Sequence, residues 1–587
     1  MIPTNVGRSK ATYYMCLALL IPVIWFAVIL AQEYSKPIDW SVYFENVHRA
    51  VYHPFDLYWT DHTLASIGAC CIGYALIVLV WLSEPSRFRS GIEHGSARWA
   101  KVSEINKIFE DKKDKDNNFI ITDNALLGMD VYRHGANLHM LCIGGSGQGK
   151  SRYVLIPNVL QSNCNYFITD PSGELLRATG EFLKTQGYDV RVINLVNMDE
   201  SDSFNPFPYF RNEEDVLILV DTFIKNTTDA LKGTGSDPFW EKAERFLITS
   251  ICFYLREECP QEDQNFPSVL KLAGAAQIKE DQEDFVSALD ILFTDLERRS
   301  PRSVAARMYK EYKISAGKTA KSILVQVFVR LSIFDIPRVA AITSRDDMRL
   351  GELATQKVAI FAVIPDTHST FNSLVGMMYS TMFTHLSYIA DNEYHGMLPR
   401  HVRCLMDEFR NVKMPDDFLS ILSSVRKRNI SMSIFVQNIT QLQALYKEEW
   451  QSLVGNCSTY MYLGGGDDDT LKKLSEKLGN ETIDKKTYGI SRGQTGSSSE
   501  NRDTMSHPLL APNEIQKLDK KYCLVFLPGQ DPLCDQKFRL KRHKNYKYTS
   551  FGRQGKVYVH QPIRDVFDYS TLPITNDYTN IYEYEIE

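Results

Sequence analysis

Apolar residues along this chain fall into three patterns. Two uninterrupted runs stand near the start, Ala11 to Ala31 and Thr63 to Leu82, each about 20 residues long and free of charge. As helices they are long enough to span a hydrocarbon core of about 30 Å, and Pro22 kinks the first without breaking it. A cleaved signal sequence is the alternative for the first run, although its apolar stretch is long for that role. The second pattern is a set of short, mostly apolar segments of strand type at Leu138–Ile143, 357–364, Val402–Met406 and Ile430–Val436. From about Phe239 to Ala341 the third pattern, helical spacing, dominates and strand alternation is scarce. That helical block separates segments that have to meet in one sheet, so it predicts a helical domain inserted into an α/β core. The expected divisions are an anchor at 1–90, an α/β domain at 91–238 and 342–550, an all-helical domain at 239–341 and a tail at 551–587.

Charge gives the apolar runs a direction. Arg8 and Lys10 precede the first, Arg87 and Arg89 follow the second, and the stretch between is acidic and rich in aromatic residues. Positive-inside logic places both flanks in the cytoplasm and the connecting loop outside. The chain has 587 residues, 44% of them hydrophobic and 24% charged, the composition of a folded protein of several domains. A net charge of −6 excludes a uniformly basic nucleic-acid-coating protein but leaves room for a local basic channel. Its 11 cysteines form neither CxxC pairs nor metal-ligand spacings with histidine, so they read as reduced, buried thiols of a cytosolic compartment.

Candidate chemistry centres on Gly144-Gly145-Ser146-Gly147-Gln148-Gly149-Lys150-Ser151, which matches GxxxxGK[ST] between a strand pattern and an apolar helical one. Glycines there let backbone N–H groups close around phosphate oxygens, and the helix start adds partial positive charge. Lys150 is expected at the β- and γ-phosphates and the Ser151 hydroxyl on Mg²⁺. A second strand ends in Asp407-Glu408, an acidic pair placed to hold the Mg²⁺ shell through Asp407 and to polarise the attacking water through Glu408. A third ends at Gln437, where an amide can sense a γ-phosphate or orient water. Before that strand, Arg426 and Arg428 are candidate arginine fingers for a neighbouring subunit, against the plainer reading of a basic helix end.

Together with these, other segments give the chain a family likeness. His94-Gly95-Ser96-Ala97-Arg98-Trp99-Ala100, Ile156-Pro157-Asn158, Ile168 to Leu175, Ser203-Phe204-Asn205-Pro206, Asp237-Pro238-Phe239-Trp240, Asp407-Glu408-Phe409 and Gln437-Asn438 with Gln441-Leu442 resemble the type IV coupling proteins of conjugation, the TraG/TraD-type ATPases. The resemblance covers nearly everything after the membrane runs. Ser172 stands where the family often has lysine, and the loop between the runs and the C-terminal tail match nothing in it. The likeness implies a RecA-like P-loop NTPase core with an inserted all-helical domain and two N-terminal transmembrane helices. It also implies ATP and Mg²⁺ as cofactors, a homo-hexamer, and single-stranded DNA carried with its relaxase into a type IV secretion channel.

Three features bear on cargo without deciding it. The basic cluster Arg539, Lys541, Arg542, Lys544 and Lys547, interleaved with tyrosines, reads as a solvated face sooner than as a DNA contact. The Gly/Ser-rich stretch from Ser491 to Thr504 reads as a mobile loop. The acidic, tyrosine-bearing end reads as a solvated terminus, with recruitment of a relaxosome partner as the alternative. An FtsK-like chromosome translocase shares the anchored-motor design but brings a long linker and a winged-helix pattern not found in the sequence. A receptor and motor for secreted proteins could carry the same catalytic residues. A docking platform without hydrolysis has no need of Lys150, Ser151, Asp407 and Glu408 together.

Overall fold

The computed structural model describes residues 10–83, 92–228, 238–276, 285–316, 319–415, 417–491 and 497–562, in two compact units divided between Glu93 and His94. Arg8, Arg87, Arg89, Asp237 and the acidic terminus from 563 onward lie outside the described residues.

The first unit is a helical hairpin of α1 (Lys10–Gln32) and α3 (Thr63–Ser83), with a short helix α2 (Trp40–Val51) between them. Both hairpin helices contain a stretch long and apolar enough to cross a membrane. Their polar side chains turn inward onto backbone carbonyls: Tyr74 donates to Cys16 O at 2.8 Å and Ser66 to Ala27 O at 2.8 Å. In hydrocarbon this is the arrangement hydroxyls need, since no water is there to receive them. The run of residues between the two helices, read only as an aromatic loop, contains α2 because Asp39 caps its first turn by accepting from Ser41 N.

The second unit is built on nine strands. In chain order they are β1 (Met140–Gly144), β2 (Asn165–Pro171), β3 (Asp189–Asn194), β4 (Val358–Ile364), β5 (Val402–Met406), β6 (Ile430–Val436), β7 (Thr459–Gly464), β8 (Tyr522–Phe526) and β9 (Leu533–Gln536). Across the sheet they run β9-β8-β7-β1-β6-β5-β2-β4-β3. From β7 to β3 every pair is parallel, while β8 is antiparallel to both its neighbours. Helices cover both faces, and the central strands are therefore buried on both sides, with every residue of β1, β4, β5 and β6 inaccessible. This is why they read as mostly apolar segments, broken in β5 by Arg403 and in β6 by Ser431 and Ser433.

From Glu213 to Thr343 the described residues form helices only, between β3 and β4. Inside this block Arg330 is buried against Glu244 and also donates to the Ile224 carbonyl at 2.7 Å, so the ion pair is hydrogen-bonded as well as paired.

One expectation is revised. The stretch 491–504 is not a loop throughout: residues Asn480–Ser491 and Ser497–Pro508 pair in register as a long antiparallel ribbon, and only 492–496 lie outside the described residues. Its many Ser and Thr residues fit a pleated ladder as well as they fit a flexible chain, and the ladder satisfies their backbone groups. The start of the expected tail is packed: Tyr558 donates through its N–H to Arg177 O, and His560 lies 2.9 Å from Asp202.

The ribbon's base is stitched to the start of the second unit. Ser96 bridges Glu481, Ala97 N donates to Asn480 O at 3.0 Å, and Gly95 lies so close that a Cβ would overlap the Asn480 carbonyl.

Candidate active site

The carboxyl ends of the parallel strands form one edge, where open α/β sheets bind their ligands. Along it, in spatial order, stand Gly464 at the end of β7, the glycine loop leaving β1, Gln437 after β6, Asp407-Glu408 after β5 and Asp170 within the end of β2. Sequence separations of about 250 to 300 residues thus collapse onto five neighbouring strands.

The glycine loop leaves β1 at Gly144 and turns through Gly147 and Gly149, with φ of 73° and 83°, a region glycine enters without strain. Ser151–Leu155 then forms a π-type turn, with the Ile156 N–H donating to Ser151 O. Pro157 has no N–H for the Tyr153 carbonyl, which removes one α-helical bond and favours this wider turn. Asn158 accepts from Ile120 N and donates to Ile120 O, so the helix behind the loop is tied to the small hairpin formed by Asn118–Ile120 and Leu126–Gly128.

Lys150 is 8% exposed, and its ammonium donates to Gly144 O at 3.1 Å and to Glu408 Oε1 at 3.2 Å. Gln437 Nε2 donates to both Glu408 oxygens, at 3.3 and 3.2 Å. Glu408 is therefore held between a cation and an amide, on a backbone at φ 47°, a left-handed conformation uncommon for a residue with a side chain. Asp407 is buried beside it; burial pushes its carboxyl up to about 6, with Lys150 opposing the rise and Glu408 adding to it. These groups suit a bound nucleotide with Mg²⁺. The loop offers N–H groups and no Cβ at its tightest points, Ser151 and Asp407 are oxygen donors for a hard cation, and Lys150 spends its charge on protein acceptors that a phosphate can replace.

Asp170 caps the helix Glu174–Thr185, accepting from Leu175 N at 3.1 Å and Leu176 N at 2.7 Å. Burial pushes its carboxyl up to about 7; the two amide donors pull the other way, and Asp407 adds to the rise. The folded chain thus holds this proton more tightly than the unfolded one, whose ordinary value is 3.8. The resulting stability is full below pH 4 and is lost as pH rises through about 7. Asp170→Asn is expected to reduce the slope of stability against pH across that window, by at most about 1.4 kcal/mol per pH unit, measured from melting temperatures of both proteins in matched buffers.

Arg426 and Arg428 stand at the other edge of the sheet, before β6 begins at Ile430. Seven residues of strand, about 20 Å, separate them from the glycine-loop edge of their own chain. Arg428 is committed within the chain, donating to Asp391 Oδ1 at 2.9 Å and Oδ2 at 2.6 Å, whereas Arg426 is exposed. In the basic cluster, Arg539 and Arg542 pair with Asp123 and Lys544 with Asp116, so three of its five cations face carboxylates.

Two contributors escaped the sequence reading. Gly464 O accepts from Gly145 N at 2.9 Å, and a Cβ at Gly464 would come within 2.6 Å of Gln148 Oε1, so β7's end is part of the loop's wall. The run Gly464-Gly465-Gly466 at a strand end was the available signal. Asp170 was visible only within the segment Ile168 to Leu175 that carries part of the family likeness, not as a neighbour of Asp407.

The family profile described as "Type IV secretory system Conjugative DNA transfer" matches residues 98–557. A protein VirD4 of Rhizobium rhizogenes is 22% identical over 467 residues, covering 77% of this chain and 66% of the relative. A conjugal transfer protein TraG of Rhizobium radiobacter is 22% identical over 494 residues, covering 75% and 71%. The chain thus aligns with about two thirds of the length of these relatives. Among solved structures, the plasmid coupling protein TrwB in complex with the non-hydrolysable ATP analogue ADPNP superposes with a TM-score of 0.57 at 15% identity, over 81% of this chain and 99% of that one. TrwB in complex with ADP and Mg²⁺ gives 0.54 at 16%, over 76% and 94%. At such identities the likeness is one of fold.

Proposed function

Because the chain belongs to the family of type IV secretory system conjugative DNA transfer proteins, we propose that it is a membrane-anchored ATPase that delivers relaxase-bound single-stranded DNA into a type IV secretion channel. The observation that carries the catalytic part is the contact of Lys150, Glu408 and Gln437 at the carboxyl edge of the sheet. The proposed divisions are an anchor at 1–90, a RecA-like domain at 91–238 and 342–550, an all-helical domain at 239–341 and a tail at 551–587. In this reading α1 and α3 cross the cytoplasmic membrane, and the second unit works on the cytoplasmic side, where ATP is available.

The residues divide the work as follows. Gly144 to Gly149 cradle the polyphosphate and Lys150 takes its terminal oxygens. Ser151 and Asp407 would hold Mg²⁺, which when bound neutralises charge on the phosphates. Glu408, released from Lys150, accepts a proton from the attacking water, and Gln437 steers that water. A homo-hexamer with sites between subunits gives Arg426 a role in trans, since its own glycine loop is out of reach; Arg428 is already bound to Asp391. Arg426→Ala is expected to lower turnover by about 10²-fold or more and to regain part of it when mixed with Lys150→Ala subunits. Mixed assemblies without any regain would remove Arg426 from the site.

The test of function is ATP turnover by the purified full-length chain in detergent or lipid nanodiscs, with and without single-stranded DNA. Stimulation by DNA supports a nucleic-acid motor. Turnover indifferent to DNA but raised by a relaxase or another secreted protein would move the reading to protein cargo, and no turnover under either condition would overturn the motor.

A further inference from the structure

Behind the glycine loop lies a second lysine. Lys537, the residue after β9, is 3% exposed. Its ammonium donates to the Gln148 carbonyl at 3.4 Å and lies 5.4 Å from the centre of the Tyr153 ring. Among the described residues no carboxylate forms an ion pair with it. An ammonium carries three donors and loses its hydration on burial, so a single long hydrogen bond and a ring face leave it incompletely compensated. A charge is kept in such a place when the groups around it gain from its field.

The group facing it is a peptide of the phosphate loop. In a trans peptide the C=O and N–H point in opposite directions. With Gln148 O turned toward Lys537, the N–H of Gly149 points away from that lysine, which in the nucleotide reading is toward the phosphate oxygens. Tyr153 supports the same peptide from below: a Cβ on Gly149 would lie 2.5 Å from its ring atoms. Lysine, ring and glycine thus form a backing for the most tightly curved part of the loop. Lys150, by contrast, is engaged with Glu408 and Gly144, so the cation behind the loop is the one whose field is not already paired with a carboxylate.

Building on the nucleotide reading above, we propose that Lys537 is a positioning residue of that site: it holds and polarises the Gln148–Gly149 peptide from behind, setting the Gly149 N–H for a nucleoside polyphosphate and adding fixed positive charge beneath it. The groups around the amine are Cys142 on β1, Cys523 on β8, and Lys520 with Asp519 before β8. Burial pushes both thiols well above their ordinary range, so they stay neutral, and Lys520 and Asp519 oppose one another. Burial lowers the Lys537 pKa from 10.5, so the amine loses its charge at lower pH than a lysine in water.

The experiment is calorimetric titration of MgADP into the full-length chain in detergent, for the wild type, Lys537→Met, Lys537→Arg and Lys150→Ala, with melting temperatures taken without nucleotide. Lys537→Met is expected to weaken binding about tenfold at an unchanged melting temperature, and Lys537→Arg to restore it to within about twofold. Raised from pH 7 toward 10, the wild type should lose affinity relative to Lys537→Arg, whose guanidinium keeps its proton, and approach the methionine variant. Wild-type affinity in Lys537→Met overturns the inference and leaves the nucleotide site standing. So does a wild type that follows Lys537→Arg throughout the pH series, a comparison that holds even if Lys537→Met fails to fold. A wild type that binds no MgADP overturns the nucleotide reading itself.

Discussion

Lys150→Ala is expected to leave no measurable ATP turnover, a loss of at least about 10³-fold, while the protein keeps its fold. Lys150 is the only ammonium in contact with the acidic end of β5 among the described residues, at 3.2 Å from Glu408. Charge that develops on the terminal phosphate during transfer has to be met by a preorganised cation, and a water molecule in the alanine's place reorganises instead of being fixed. The fold should survive because Glu408 keeps both contacts from Gln437 and remains partly exposed, while buried Asp407, which loses the opposing Lys150 charge, keeps the hydrogen bond from Glu408 N and can take up a proton. The measurement is phosphate release by the full-length chain beside its melting temperature. Turnover within tenfold of the wild type, at an unchanged melting temperature, would mean that the glycine loop is not the hydrolytic site.

Glu408→Gln separates binding from hydrolysis. The amide cannot take a proton from water, so turnover should fall by about 10² to 10⁴-fold. Nucleotide affinity should hold or rise, because in the wild type Lys150 has to exchange Glu408 Oε1 for a phosphate oxygen, and the variant offers it a weaker competitor. Titration of MgATP paired with single-turnover hydrolysis tests both parts. Normal hydrolysis would remove Glu408 as the base. Lost binding would instead assign Glu408 to holding Mg²⁺.

Which parts of this were legible follows from where the information lies. The ends of β1, β5 and β6 could be read because each is a short, mostly apolar segment that is buried along its length and ends at a recognisable signal: the glycine loop from Gly144, the acidic Asp407 and the amide Gln437. The two long apolar helices were legible within a residue or two for the same reason, an uninterrupted solvent preference. Strand order was not, because apolar runs buried on both sides look alike and crossovers through helices decide who neighbours whom. Gly464 therefore could not be placed against Gly145, nor Lys537 against Gln148, some 390 residues away in the chain. The ribbon escaped for the opposite reason: Asn480–Ser491 and Ser497–Pro508 are polar on both faces, so no alternation marks them as strands. Arg426 and Arg428 were legible as cations but not as residents of the far edge, since sequence position before a strand carries no distance to the site.

The lacing of residues 94–97 onto the ribbon's base has a mechanical side. Tension arriving along the chain from α3 meets the second unit at His94 and Gly95, whose N–H groups donate to Thr482 Oγ1 at 3.0 and 3.2 Å, and at Ala97, bonded to Asn480. Ala100 N then donates to Pro532 O, just before β9. The segment is thus held to the ribbon and to the β9 border of the sheet by several hydrogen bonds. Load entering at His94 would therefore be shared among these bonds before it reached the chain that runs from Ala100 to the glycine loop.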